Sequence, residues 1–161
     1  MKSRSCLALY FFIAVAGTAA MSTAAAAQDV RANCSKVGTD DRVQPIPNSL
    51  IRAARRIFDI PAEAPDSFVQ ASTSVRCMMG RAWLCNYGAN LVCDKADVSR
   101  NSPGAEEFCK QNPDSIGVPM SATGHATIFE WKCVGQQPRI TGQTTSIDAR
   151  GFIAGNWKQL D

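Results

Sequence analysis

Residues 77–93 read Cys-Met-Met-Gly-Arg-Ala-Trp-Leu-Cys-Asn-Tyr-Gly-Ala-Asn-Leu-Val-Cys, and this stretch indicates the fold class more directly than any other. A cysteine recurs at every eighth residue, at Cys77, Cys85 and Cys93. The Met79-Gly80 pair and the glycine at position 88 separate short apolar runs, which is typical of strands joined by tight turns. The stretch therefore predicts short hairpin strands over residues 82–85 and 91–93 that disulfides hold in place.

The cysteine content places the chain among exported disulfide proteins. An even number of cysteines in a short exported chain indicates a disulfide framework. Structural zinc sites and thioredoxin-like redox sites use cysteines a few residues apart. The shortest interval here has seven intervening residues, so three structural disulfides with no free thiol are predicted, and the sequence leaves their pairing open. The six cysteines beyond the N-terminal segment are Cys34, Cys77, Cys85, Cys93, Cys109 and Cys133.

The first 27 residues have the three parts of an export signal. Lys2 and Arg4 supply a positive start, residues 7–16 are apolar without a charge, and Ala25-Ala26-Ala27 fits the small-residue cleavage rule. The apolar run is shorter than the ~20 residues that a membrane-spanning helix needs. We therefore expect cleavage near Ala27, removal of Cys6 with the signal, no membrane span in the mature chain, and delivery to the periplasm or the medium.

Removal of the signal also changes the charge of the protein. The whole chain carries 17 Lys and Arg against 14 Asp and Glu, a formal net charge of +3, and the loss of Lys2 and Arg4 leaves +1 on 134 residues. A nearly neutral domain has no general electrostatic attraction to nucleic acid. This length suits one domain with a hydrophobic core. We expect no nucleic-acid partner, and the sequence leaves the oligomeric state open.

The chain is predicted to have three segments. They are a cleaved signal peptide over residues 1–27, an extended N-terminal arm over residues 28–47, and a disulfide-stabilised α+β domain over residues 48–161. The arm is polar, and glycine at position 38 and prolines at positions 45 and 47 interrupt it.

Two short helices are predicted among the β-strands of the domain. Apolar residues at helical spacing place the first helix between Asn48 or Ser49 and Asp59. Ser102 is a good N-cap and Pro103 a good first residue for the second helix. Strand texture covers residues 68–76, 126–133 and 139–146, and residues 152–160 are predicted as a last strand or short helix.

His125 is the one histidine in the chain and the one catalytic candidate. A lone histidine acts as a general base when a carboxylate orients it, and Asp114, Glu130 and Asp148 are the candidate partners. The G-x-S-x-G and S-x-x-K nucleophile patterns do not occur in the sequence. Asp94 and Asp97 could form a loop cation site, but they lack the ligand spacing and the glycine of an EF-hand. The sequence therefore predicts no cofactor and no metal, and it favours a non-enzymatic protein.

Surface binding is predicted at two places. One tryptophan stands between polar residues and is predicted to be exposed, whereas Trp83 and Trp131 are predicted to lie in the core. Three arginines share one arc of the first predicted helix, and such a cluster suits an acidic partner. The candidate binding residues are Trp157, Arg52, Arg55 and Arg56.

The sequence thus predicts an α+β fold, a small β-rich single domain with two short helices that three disulfides cross-link. The expected function is that of an exported, non-enzymatic binding module, an inhibitor or accessory protein that acts on another protein or on an envelope polymer. Two alternatives stay open. One is a small periplasmic hydrolase that uses His125 with a carboxylate, and the other is a structural envelope protein.

Overall fold

The structure is a computed structural model that describes residues 22–88 and 91–161. Most of the predicted signal peptide, with Cys6, lies outside the described residues, and the predicted cleavage point after Ala27 lies within the first helix. The helices are α1 (Ser22–Val37), α2 (Ile51–Phe58), α3 (Asp66–Ser72), α4 (Pro103–Gln111) and α5 (Met120–Thr123). The strands are β1 (Asp40–Pro45), β2 (Thr73–Met78), β3 (Arg81–Asn86), β4 (Phe129–Val134), β5 (Gln137–Gln143) and β6 (Lys158–Gln159).

The described strands form two separate antiparallel sheets. One sheet has four strands in the order β1-β2-β3-β6, and the other consists of β4 and β5 alone. We call the four-stranded sheet with α1, α2 and α3 the sheet lobe, and residues 103–143 the hairpin lobe. Short helices, six strands and three disulfides confirm the predicted β-rich α+β fold.

The helices of the sheet lobe cover one face of its sheet. Successive side chains of a strand point to opposite faces, and Val75 and Cys77 of β2 join Leu84 of β3 in the core under α1 and α2. The predicted helical spacing in α2 is confirmed, because Leu50, Ile51 and Ala54 are buried in this same core. A 3-10 turn over Asn48–Leu50 leads into α2, and α2 ends where Asp59 adopts a left-handed backbone conformation.

The other face of the sheet carries a second core. Arg76 of β2 points to this face, because its neighbours Val75 and Cys77 point to the helices. Phe152 and Trp157 from the C-terminal segment pack there against the Cys85–Cys93 disulfide. The C-terminal segment therefore covers the face that α1 and α2 leave open.

The N-terminal part of the chain differs from its prediction. Residues 28–47 are predicted as an extended arm, but α1 continues to Val37 and β1 then pairs with β2. Polar composition favoured an irregular segment, whereas Val30 and Cys34 recur one helical turn apart and pack into the core. The helix stops at Gly38, where a φ of +74° suits glycine. The division of the chain by signal cleavage stays a prediction.

Two predicted strands are also corrected. Residues 68–72 belong to α3 rather than to a strand, because Pro65 precedes the helix and Asp66 lies in its first turn, which are both favourable helix-start positions. Strand β2 begins only at Thr73. Leu91 forms an isolated bridge with Gly88 instead of a strand over residues 91–93, and the Cys85–Cys93 disulfide attaches this segment to β3.

The six cysteines pair in sequence order, each with its nearest cysteine neighbour in the fold. Cys34–Cys77 ties α1 to β2, Cys85–Cys93 ties β3 to the following loop, and Cys109–Cys133 ties α4 to β4. Their Cα–Cα distances are 5.0, 5.7 and 5.4 Å, within the range that disulfides require. Such disulfides indicate an oxidising, exported location.

The hairpin lobe has the helix and the two strands that the sequence predicts, together with the short helix α5, which the sequence does not predict. Ser102 caps α4, since its hydroxyl accepts a hydrogen bond from the Ala105 N–H, and Pro103 is the first helical residue. Strands β4 and β5 confirm the predicted strand, turn and return. The loop over residues 112–119, which connects α4 to α5, runs beside β4. The Cys133 N–H donates to the Ser115 carbonyl, and the Val118 N–H donates to the Trp131 carbonyl.

Candidate functional site

The structure corrects the predicted exposure of Trp157. The backbone at Trp157 is extended (φ −102°, ψ 131°), so its side chain points away from the side on which its polar neighbours lie. Its ring is buried and packs edge-on against Phe152, with 5.8 Å between the ring centroids. Trp157 therefore offers no surface to a partner, and its role is in the second core.

The predicted arginine cluster divides into two parts. Arg55 is held internally, because its guanidinium donates to the Pro61 and Ala64 carbonyls and pairs with Asp66 at 2.7 Å. Arg52 and Arg56 are exposed and form no hydrogen bond or ion pair with the described residues. Two free arginines one turn apart remain as a basic surface, which is smaller than the three-residue cluster that the sequence predicts.

His125 does not meet the carboxylates that are its candidate partners. It is half-buried, and within the described part of the chain it forms no hydrogen bond or ion pair. Asp114 instead accepts a hydrogen bond from the Gly135 N–H at 2.6 Å, and Asp148 pairs with Arg76. The geometry therefore contains no oriented general base at His125.

Arg76 forms a buried polar centre that no pattern in the sequence indicates. Its side chain has no exposed surface, and its guanidinium carbon lies 3.9 Å from the Phe152 ring centroid and 4.5 Å from that of Trp157. Asp148 pairs with it. Burial acts to raise the pKa of Asp148, but hydrogen bonds from Arg76 and from the Phe152 and Arg150 N–H groups outweigh burial, so this pKa is lowered. The centre attaches the C-terminal segment to β2.

A groove of about 390 Å³ lies between the loop over residues 115–123 and strands β4 and β5. We call it the hairpin groove. The loop spans three residue steps from Ser115 to Val118 while β4 spans two from Trp131 to Cys133, so the loop bulges outward at Ile116. The side chains that give the groove its chemical character are Ile116, Val118, Met120, Phe129, Glu130 and Trp131.

Several groups in this groove have no partner among the described residues. Trp131 is only 5% exposed, yet its buried indole Nε1 forms no hydrogen bond. The Glu130 carboxylate forms no ion pair, and the Thr141 hydroxyl forms no hydrogen bond. A buried N–H without an acceptor costs free energy, about 1–3 kcal/mol. Because the Trp131 donor is enclosed, the accessible part of the hairpin groove combines the unpaired Glu130 carboxylate with apolar walls.

Apolar side chains at the rim are unusually exposed. Ile116 is 98% exposed and Met120 is 44% exposed. The aromatic rings are covered by contrast, because Phe129 packs edge-on against Trp131 at 6.4 Å and the Arg100 guanidinium lies 5.3 Å from the Phe129 centroid. The groove thus offers aliphatic surface rather than an open aromatic face.

A larger cleft of about 520 Å³ lies between α1 and β1. Its apolar floor includes Val30, Ile46 and Val75, and its charged rim includes Asp40 and Arg42. The Arg42 guanidinium and the Asp40 carboxylate form an ion pair with each other at 2.6 Å. The side chains of Asp29, Asn33 and Gln44 also line this cleft, and they form no hydrogen bond or ion pair with the described residues.

Comparison of the chain with models of protein families, with curated proteins and with solved structures finds no match. Among residues 22–88 and 91–161, no set of three or more His, Cys, Asp or Glu side chains is arranged to hold a metal ion. None of the helices in these same ranges has both the length and the apolar character needed to cross a membrane. The hairpin groove is the candidate functional site because the exposed apolar side chains of Ile116 and Met120 lie at its rim.

Proposed function

We propose that the protein is an exported binding module that engages another protein through the hairpin groove, as an inhibitor or accessory subunit. The observation that carries the proposal is the position of Ile116, which is almost fully exposed at the rim of the hairpin groove. Burial of an isoleucine side chain contributes about 1.5–3 kcal/mol. Hydrogen bonds to β4 fix the loop on both sides of Ile116, so the loop loses little conformational entropy when a partner binds.

The aromatic side chains favour a protein over an envelope polymer as the partner. Polysaccharide binding commonly uses an open aromatic face. Phe129 lies under Arg100 and Trp131 is buried, so the groove offers a sugar ring no such face. The hydrolase and the structural envelope protein stay predictions, and no contact of the described residues favours either one.

The place of action is part of the same proposal. The signal peptide would be removed near Ala27, which would release the mature protein into the periplasm or the medium. The three disulfides support an oxidising compartment. N-terminal sequencing of the exported protein, with a free-thiol count of zero as the expected result, tests this part.

Affinity capture with matched variants tests the binding function. The oxidised mature protein serves as bait in envelope extract of the source organism, beside Ile116→Asp and Met79→Asp. Met79 is the matched control because it is also highly exposed, but it lies in the β2–β3 turn, and its left-handed backbone (φ 52°) tolerates aspartate. We expect Ile116→Asp to lose the partner and Met79→Asp to retain it. A partner that Ile116→Asp retains would contradict the assignment of the groove.

A further inference from the structure

One face of the β4–β5 hairpin is exposed along its whole length. Successive side chains of a strand point to opposite faces. Trp131 and Cys133 are buried on the face toward α4, to which a disulfide joins Cys133. We call the opposite, exposed face the ribbon face. Its side chains are those of Glu130, Lys132, Val134, Gln137, Arg139, Thr141 and Gln143.

The ribbon face adjoins the proposed binding surface. Glu130 and Thr141 belong to the ribbon face and also line the hairpin groove. A partner protein that covers Ile116 at the rim of the groove therefore also comes close to the exposed side chains of β4 and β5.

Two cations lie directly opposite each other on the ribbon face. Lys132 of β4 pairs in register with Arg139 of β5. Side chains at directly opposite positions have their Cβ atoms about 5 Å apart, and like charges placed there destabilise a hairpin. Both side chains are exposed, and neither forms an ion pair or hydrogen bond with the described residues. The hairpin thus places two like charges side by side without an internal counter-ion.

The nearest carboxylate on the same face does not neutralise these cations. Glu130 is exposed, lies opposite Gly142 in the register, and forms no ion pair with the described residues. On the other side of Lys132, Val134 is 51% exposed. The ribbon face therefore presents, along β4, a carboxylate, a pair of cations and an apolar side chain.

This order of charges favours a single acidic side chain over a polyanion as the occupant. Two residues of a strand span about 6.8 Å, so a polymer with closely spaced anionic groups that reached Lys132 would also place negative charge against Glu130. A discrete carboxylate reaches the cation pair without that repulsion. A second copy of the chain would bring its own two cations to this face, which like-charge repulsion opposes.

We infer that the ribbon face takes an aspartate or glutamate side chain of the partner protein, with its carboxylate between Lys132 and Arg139 and an apolar neighbour against Val134. This inference rests on the proposed function and specifies the chemistry of the partner surface. The like-charge pair, which is unfavourable in the free protein, gains its counter-ion in the complex.

Defined peptides test the inference without knowledge of the partner. The probes are acetyl-Leu-Glu-Leu-amide and the same peptide with glutamine, which keeps the shape and lacks the charge. Binding to the ¹⁵N-labelled, oxidised mature protein is followed at low ionic strength, with the Lys132 and Arg139 amides as reporters. The test variant is Lys132→Gln/Arg139→Gln. The matched control is Lys36→Gln/Lys158→Gln, which removes the same charge from two exposed, unpaired positions of the sheet lobe in the described part of the chain.

The expected result is an acid preference that depends on the cation pair. The glutamate peptide binds the native protein about tenfold more tightly than the glutamine peptide, as charge-assisted hydrogen bonds predict. Lys132→Gln/Arg139→Gln reduces that ratio to less than about twofold, and the control variant keeps it. Equal binding of the two peptides to the native protein, or an equal loss in the control variant, would overturn the inference.

Two further measurements examine the premises. Because removal of like-charge repulsion does not destabilise the hairpin, the urea midpoint of Lys132→Gln/Arg139→Gln should be no lower than that of the native protein at low salt. A lower midpoint would contradict the repulsion. Polyphosphate is compared with the glutamate peptide at equal concentration of anionic groups. Tighter binding of polyphosphate that is lost in Lys132→Gln/Arg139→Gln would overturn the choice of a protein as the occupant.

The inference and the proposed function fail in different ways. If capture depends on Ile116 while the peptides show no acid preference, the protein-binding function stands and the acidic contact falls. If capture is indifferent to Ile116 but acid preference depends on Lys132 and Arg139, the ribbon face recognises carboxylates and the assignment of the captured partner to the groove falls.

Discussion

The sheet lobe and the hairpin lobe are stabilised in different ways. The sheet lobe has a four-stranded sheet with buried side chains on both faces, and all residues of β2 from Thr73 to Cys77 are buried. The hairpin lobe has two strands, and the residues of β4 and β5 alternate between more and less exposed positions. A two-stranded ribbon is marginally stable alone. The hairpin lobe therefore depends more on its disulfide and on its helix contacts.

The polar groups follow the same division. In the sheet lobe the buried Arg76 is matched by Asp148 and by two aromatic rings, and its contacts join distant parts of the chain. In the hairpin lobe the exposed Glu130 carboxylate has no such partner among the described residues. Buried donors without a partner occur in both regions, at the Trp157 indole and part of the Arg76 guanidinium beside the sheet and at the Trp131 indole in the hairpin lobe. The two lobes therefore differ in their charge pairing and in the exposure of Ile116, and not in how fully their buried donors are paired.

The largest expected effects come from removing disulfides. Cys34–Cys77 and Cys109–Cys133 connect residues 43 and 24 positions apart. Loop-closure entropy predicts that their loss lowers the free energy of unfolding by about 4 and about 3.5 kcal/mol. The magnitudes are close, but the consequences differ. We expect the Cys34→Ser/Cys77→Ser variant to lose stability throughout the chain and the Cys109→Ser/Cys133→Ser variant to loosen the hairpin lobe first.

Amide hydrogen exchange separates these two outcomes. In the Cys109→Ser/Cys133→Ser variant, amides of β4 and β5 should exchange faster while those of β2 and β3 keep their protection. The Cys85→Ser/Cys93→Ser variant is the control, because its loop spans only eight positions and lies outside the hairpin lobe. Equal loss of protection in both lobes after removal of Cys109–Cys133 would show that the lobes unfold as one unit.

The next effect concerns the polar centre of the sheet lobe. Asp148→Asn leaves the buried Arg76 cation without its counter-ion, and breaking a buried pair in this way costs about 3 kcal/mol. Asp41→Asn is the matched control, because Asp41 pairs with Arg150 and Lys95 on the surface and its loss is expected to change stability little. Denaturant unfolding at pH 7 measures both variants.

The pH dependence of stability provides a second measurement of this centre. Because the folded pKa of Asp148 is lowered, its carboxylate contributes stability above the unfolded pKa of about 3.9. That contribution is lost as the pH falls through the folded pKa. The native protein should therefore lose stability steeply below about pH 4, and Asp148→Asn should give a flatter profile. Parallel profiles for the two proteins would contradict a stabilising role of the charge.

Local signals in the sequence predicted the fold well, and long-range contacts limited the rest. Ser102 and Pro103 mark the start of α4 by their own chemistry, and apolar spacing marks α2. Arg76 carries no local sign of burial, because its partner Asp148 lies 72 residues away and its aromatic neighbours lie further still. Polar neighbours likewise made Trp157 look exposed, although tertiary packing buries it.

The candidate site was less predictable than the fold. An apolar residue between Pro113 and Pro119 is a signal that the sequence contains, and it marks Ile116 as an unusual loop residue. Its place at the rim of a groove depends on the hydrogen bonds that align the loop with β4. The prediction that Trp131 lies in the core was right, but its unpaired indole N–H is visible only once its surroundings are known.

The smallest expected effect on the free energy of unfolding comes from Gly104→Ala, and it should be confined to the hairpin lobe. Alanine normally stabilises a helix relative to glycine by about 0.5–1 kcal/mol. At Gly104 of α4, however, an added Cβ would overlap the Ala122 carbonyl oxygen of α5, so α4 and α5 must separate. We expect Gly104→Ala to lower the free energy of unfolding by about 2 kcal/mol through this crowding.

Displacement of α5 also reaches the binding surface, since Met120 and Thr123 of α5 line the hairpin groove. Gly104→Ala should therefore weaken capture of the partner protein and shift the amide signals of α5 and β4, while amides of β2 and β3 stay unchanged. Gly155→Ala is the control, because its Cβ would meet no atom within 4 Å and it lies outside the hairpin lobe. If Gly104→Ala were as stable as the native protein, α5 would have to yield without cost, and the groove would be an adaptable surface rather than a fixed one.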